Sequence, residues 1–217
     1  VLTGRNTMRI HVVSLAVVLL ATIFPWVHVA ADDGSNAWEP IEQSDGVTSW
    51  KLAGRSGPGA VLKGEVELAV GIEAVRRILE DTPNHTKWMH KCVESTELRR
   101  TSDSEAILYN RTHSPWPVKD RDVVYRLTRA TDDSTGDLIF KFAEIRSDLK
   151  PVVDGVVRMP KMSGYWRLTK LGASRTKVLY YLETDVGGSV PGWAVKSVLE
   201  RIPYETLRGL RGRLATR

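Results

Sequence analysis

The stretch Ser114-Pro115-Trp116-Pro117-Val118-Lys119-Asp120-Arg121-Asp122-Val123-Val124-Tyr125 sets two prolines and a cluster of charges directly before an alternating apolar run. Pro115 and Pro117 fix φ and stiffen the approach to that run. Trp116 between them either packs on the surface or inserts into a membrane. From residue 123 the alternation reads as a strand, and a strand sends adjacent side chains to opposite faces. Arg121 and Asp122 therefore cannot both enter one interior space. A structural role in fixing the loop is the favoured reading of the pair, with ligand contact as the alternative.

Working outward, the chain reads as a meander. Residues 92–99, 105–112, 123–130, 138–145, 163–170 and 177–185 are six short runs rich in β-branched and aromatic residues. Turn signals at 101–104, 132–137 and 172–174 separate some of them, and short gaps imply antiparallel neighbours. Upstream, Asp45-Gly46 turns into a first strand over 47–53, the glycines and Pro58 of 54–59 interrupt it, and a second strand follows over 60–69. A helix comes next, with Ile72, Val75, Ile78 and Leu79 on one face and Pro83 closing it. Trp88, in the short segment 84–90, packs as a lid on the core. The glycine-rich loop 187–192 then feeds a long helix from about 193 to about 214, whose broad apolar face suits docking on the sheet, with a kink expected at Pro203.

Residues 8–31 carry a basic start, an apolar run over 12–29 and small residues ending at Ala31. This is a signal-peptide pattern, with an uncleaved membrane anchor as the rival, since the run is near the shortest that spans a bilayer. The expected organisation is a signal peptide over 1–31, a polar leader over 32–45 and one domain over 46–217, in an exported protein that is periplasmic or secreted. Losing Arg5 and Arg9 lowers the formal net charge of +5 by two. A chain that mildly basic, without a cationic stripe interleaved with stacking aromatics, is not expected to bind nucleic acid. The single Cys92 excludes an intramolecular disulfide and reads as a small apolar filler.

The pattern of catalytic chemistry is thin. His85 and His90 are five apart, not the four that aligns two imidazoles on a helix face, so no metal is expected. His113 has no serine or cysteine nucleophile on a glycine elbow near it. Each histidine reads as a surface or interfacial residue. Glu94, Glu97, Glu144 and Glu183 fall singly along strands, and no cofactor motif appears.

Trp88 after the helix, the strand at 94–98, the Arg121-Asp122 signature and the segment 185–196 occur in an order that resembles the StAR-related lipid-transfer (START) domain, within the helix-grip or Bet v 1-like superfamily. Met89 stands where that family usually has Asp. The resemblance spans residues 50–214 and implies an α+β helix-grip fold: a curved antiparallel β-sheet wrapped around a long C-terminal α-helix, with an internal hydrophobic tunnel between them. It also implies lipid binding and transfer. Some relatives hold a polar head with a glutamate and an arginine inside the tunnel, and the corresponding places here are Leu108 and Leu127. Polar anchoring would then fall elsewhere, as at Asn110, Thr112 or Tyr125.

Strand alternation groups Leu108, Asn110 and Thr112 on one face, and Val123, Tyr125 and Leu127 on another. With Trp166, Tyr180 or Tyr181, Trp193 and Val198 they form the expected tunnel lining, although the same stripe also describes ordinary core filler. Three functions remain open. The first is a monomeric, non-catalytic carrier of one lipid or sterol-like molecule, gated by the C-terminal helix with loop 132–137 or 147–155 and touching membranes transiently. Lys196, Arg201, Arg208, Arg211 and Arg213 would favour an anionic surface, or else form a solvated face balanced by Glu200 and Glu205. The second is a cyclase-like or hydrolase-like enzyme using the same cavity, and the third is an interaction module without ligand.

Overall fold

The structure is a computed structural model that describes residues 37–54, 59–188, 190–194 and 198–215. The segment read as a signal peptide and the side chain of Lys196 lie outside the described residues. No helix among the described residues is long and apolar enough to cross a membrane.

Ten strands build one sheet. β1 (Trp38–Ser44) and β2 (Val47–Leu52) form a hairpin across Asp45 and Gly46, both at positive φ (51° and 69°). That two-residue turn has the twist that suits paired strands. β3 (Gly59–Leu68) leads to helix α1 (Ile72–Glu80) and a 3-10 turn at Thr82–Lys87. The meander follows as β4 (Cys92–Ser102), β5 (Glu105–Thr112), β6 (Asp120–Thr131), β7 (Leu138–Glu144), β8 (Val156–Arg158), β9 (Lys161–Gly172) and β10 (Arg175–Asp185). Short α2 (Gly192–Ala194) and the closing α3 (Ile202–Ala215) end the chain. Strand order is β1-β2-β3-β10-β9-β7-β6-β5-β4, antiparallel throughout, with β8 added in parallel to β6. The path stays open at β1 and β4 and curves around α3, which is the α+β helix-grip arrangement the sequence suggested.

Three elements differ from expectation. β1 (Trp38–Ser44) occupies the second half of the stretch read as a polar leader. Its polar composition suits a half-exposed edge strand, in which Ile41 alone reaches the main core. β8 is too short to announce itself by alternation. Pro203 does not kink a helix midway: Val198 and Leu199 form a π-type turn, and α3 begins at Ile202 with Pro203 in its first turn. Proline is at ease there because a first-turn N–H has no intrahelical partner to lose.

Two glycines let α3 and its neighbours approach. A Cβ at Gly64 would stand 2.8 Å from Leu207 Cδ1, and one at Gly209 would stand 2.0 Å from the Trp88 carbonyl oxygen. Leu207 and Leu210 are wholly buried in the main core with Leu62, Val66 and Val47, each worth about 2 kcal/mol of transfer free energy. A second, smaller cluster of Ile107, Tyr109 and Val124 lies on the other face of β5 and β6, covered by Leu98, Ile145 and Leu149. Thus β6 separates two environments along its length, with Val123 and Tyr125 in the main core and Val124 in the smaller one.

Candidate ligand-binding cavity

A cavity of about 130 Å³ lies between the inner face of the sheet, α1 and the start of α3. One water needs roughly 10–15 Å³ of such space, so the side chains leave room for a molecule larger than a few waters. Across the β5–β6 register Thr112 faces Arg121, Asn110 faces Val123 and Leu108 faces Tyr125. All six side chains line the cavity, as do Leu127, Trp166, Tyr180 and Val198. Nine of the ten residues expected from the sequence are therefore brought together here.

Trp193 is the exception. It is 51% exposed and contributes nothing to the wall. The expectation placed it on the inward face of the C-terminal helix, whose closing segment α3 begins at Ile202. Of the two tyrosines left open, Tyr180 faces in and stacks on Trp166 at 4.0 Å, whereas Tyr181 faces out and stacks on Tyr165 at 5.2 Å. The aromatic wall continues through Phe142, 6.2 Å from Tyr180 and 6.3 Å from Tyr125.

The polar groups in this wall are few and mostly engaged. Asn110 Oδ1 accepts from the Ser95 hydroxyl at 2.8 Å, and its amide nitrogen faces Met89 Sδ at 3.7 Å. Burial pushes the phenols of Tyr125 and Tyr180 well above their usual range, so both remain neutral. Burial also raises the Cys92 thiol to about 11, which leaves it protonated and inert as a nucleophile at neutral pH.

His85 is a correction. Expected near the surface, it is 4% exposed and lines the cavity. Its Nε2 lies 3.0 Å from the Leu79 carbonyl oxygen, a contact only an N–H can satisfy, which leaves Nδ1 of the neutral ring without a proton, 3.4 Å from Ser95 Oγ. Desolvation lowers its pKa, outweighing the Leu79 carbonyl and Asp81, and holds the ring neutral.

Neither loop expected to gate the cavity contributes to its wall. Loop 132–137 is a tight turn, with Asp132 Oδ1 accepting from Ser134 Oγ at 2.6 Å and from the Ser134 N–H at 3.0 Å, and it has no part in the wall. Loop 147–155 packs outside, where Lys150 pairs with Glu94 at 2.7 Å and sits over the Tyr109 ring. The irregular chain that lines the cavity includes Ser114, Pro115 and Val118 after β5, Met159 before β9, and Val186 and Val190 after β10.

Sequence reasoning favoured a loop-fixing role for Arg121 over ligand contact, and its side chain also lines the wall. The signal was present, because Arg121 is two before Val123 and shares its face. Asp122 points the other way. It is 1% exposed, accepts from Arg158 at 2.7 and 3.0 Å, and accepts from the Tyr109 hydroxyl at 3.2 Å.

A family model described as START domain matches residues 35–216, nearly all of the chain and all of this cavity. The chain belongs to the START domain family. An uncharacterised protein of Pseudomonas aeruginosa is 29% identical over 194 residues, covering 89% of this chain and 93% of that one. The rat phosphatidylcholine transfer protein is 23% identical over 162 residues, covering 73% and 74%. Among solved structures, a fragment of the STAR-related lipid transfer protein from Xanthomonas axonopodis superimposes with a TM-score of 0.72 at 28% identity, covering 82% of this chain and 98% of that one. In this START domain, Leu108 and Leu127 hold the two places where the family resemblance implied an ion pair, and both are apolar wall.

Proposed function

We propose that this START domain binds one hydrophobic molecule, a lipid or sterol-like compound, in the cavity between its sheet and α3, and carries it unaltered between membranes. The observation that carries the reading is the unfilled cavity of about 130 Å³ walled by Leu108, Tyr125, Leu127, Trp166 and Tyr180. Apolar surface left unfilled inside a close-packed protein forfeits contact energy that an apolar ligand restores. The lipid-transfer names of the rat and Xanthomonas relatives support it.

Transfer requires contact with a membrane, and Trp116 supports that step. It is 90% exposed on the loop whose neighbours Ser114, Pro115 and Val118 line the cavity. An indole held at a bilayer surface suits the interfacial region. The cations of α3 offer less than their number suggests, because Arg201 and Arg208 both pair with Glu205 at 2.5 and 2.7 Å. The protein acts as an exported monomer after cleavage behind Ala31, and N-terminal sequencing of the protein from its host should then begin at Asp32.

The test is transfer of a fluorescent phospholipid or sterol from donor to acceptor vesicles, followed by chemical analysis of the recovered lipid. The expected result is protein-dependent transfer of intact lipid, slowed by Trp116→Ala without loss of folding. A recovered lipid that has been hydrolysed or cyclised would replace the carrier with a cavity enzyme.

A further inference from the structure

The cavity wall changes character along its length. At the loop end, Thr112 and Arg121 face each other across β5 and β6, and Ser114 and Thr184 stand in the same wall. Deeper, the pair Leu108 and Tyr125 replaces them, and Leu127, Phe140 and Leu79 complete an apolar end. Of the polar groups deeper in the wall, Asn110 is bonded to Ser95 and His85 to the Leu79 carbonyl.

Arg121 dominates that end. It is 6% exposed, and among the described residues no carboxylate forms an ion pair with it. Its Nε donates to the Val186 carbonyl at 3.3 Å, one terminal nitrogen donates to the Gly187 carbonyl at 3.3 Å, and the other donates to the Lys119 carbonyl. A guanidinium has five N–H groups, so these three bonds leave two unassigned. Carbonyl dipoles satisfy donors but do not neutralise a formal charge, and a buried charge without a counter-charge is costly. Burial lowers the pKa of Arg121, and Asp120 is the one carboxylate whose charge opposes that shift. Asp120 is itself engaged, with Arg111 at 2.7 Å and the Ser114 N–H at 3.0 Å. A ligand anion at Arg121 would supply the missing charge and a forked acceptor for the free N–H groups.

We propose that the cavity takes an amphiphile with a single anionic group, a carboxylate or a phosphate, which enters tail first and places its anion against Arg121. This rests on the ligand-carrier reading and goes beyond it, since it assigns the ligand a charge and an orientation. The chain lies along Leu108, Leu127 and Phe140. The head meets Arg121 with Thr112 and Thr184 beside it.

Four single-chain probes of matched length separate the possibilities in the wild-type protein: palmitate, hexadecanol, methyl palmitate and palmitoyl lysophosphatidate. Each is measured by displacement of a fluorescent fatty probe below its micelle concentration. The expected result is that palmitate or lysophosphatidate binds at least about tenfold more tightly than hexadecanol, the scale of one charge-assisted contact. The tighter of the two anions identifies carboxylate or phosphate as the head. Arg121→Lys should keep most of the preference, and Arg121→Met should abolish it, so that the acid binds no more tightly than the alcohol. Equal binding of acid, alcohol and ester by the wild-type protein overturns the proposal and leaves the carrier reading standing. Failure of all four probes to bind also overturns the proposal, and transfer of a sterol between vesicles then decides the carrier reading. The wild-type comparison decides even if Arg121→Met does not fold.

Discussion

Arg121 and Asp122 are neighbours on β6, yet they live under different electrostatic rules. Asp122, on the outer face, is closed off by Arg158 and the Tyr109 hydroxyl, so its charge and its lone pairs are both accounted for. Arg121, on the inner face, meets only carbonyl oxygens and borders empty volume. One residue of strand register separates a finished structural site from an unfinished one. Strand alternation explains the geometry, and the uncompensated charge marks the face on which a ligand belongs.

The comparison can be broken most forcefully at Asp122. Removing one partner of a buried ion pair strands the other, which costs several kcal/mol. Because Arg158 is a quarter exposed and can recruit water, we expect Asp122→Ala to cost about 3 kcal/mol, a fall in Tm of about 6–12 °C. Thermal unfolding checks this, and a change under about 1 kcal/mol would mean that the outer pair does not hold the fold. Next in size is Leu127→Arg, which places a second cation at the apolar end of the inner face. Uptake of a neutral lipid should weaken by at least about tenfold while circular dichroism stays unchanged. Unaltered uptake by a folded variant would mean the ligand lies elsewhere.

A smaller effect should appear with pH. His85 is buried with a depressed pKa, so the unfolded chain takes up a proton below about 6.5 that the folded protein resists. Its contribution to stability is therefore intact above that pH and is lost as pH falls through 6.5 and below. His90, also depressed by burial, adds to the same slope. Denaturant midpoints for the wild type and His85→Asn should converge as pH drops from 7.5 to 5, and parallel curves would contradict the assignment. The smallest effect belongs to Arg126→Ala. Arg126 is half-exposed and lies 3.6 Å from Glu105, so its loss should change stability by less than about 0.5 kcal/mol. A larger change would show that charge on β6 matters irrespective of burial.

Much of this layout was readable from residue pattern, and the failures have physical causes. Alternation on β5 and β6 placed Leu108, Asn110, Thr112, Val123, Tyr125 and Leu127 on the cavity wall, because one buried face specifies register tightly. The same alternation, extended two residues back, reaches Arg121. β1 was hidden by the composition of an edge strand, although Asp45-Gly46 is a hairpin signal that requires a strand on each side. Trp193 was misplaced because helical periodicity alone does not say which residues at the start of a helix face the sheet. Pro203 looked like a kink and is a start, a difference that depends on where the preceding turns end. His85 gave no sign of burial, since its shelter depends on how Trp88, the end of α1 and β4 close over it.

The central claim is that the volume beneath α3 exists to hold one hydrophobic ligand. Native mass spectrometry of the protein purified from its own host, followed by organic extraction and identification of the released mass, tests it most directly. The account predicts one lipid-like molecule per chain, released intact. A protein that arrives empty, and stays empty after incubation with vesicles of its host's lipids, would contradict it.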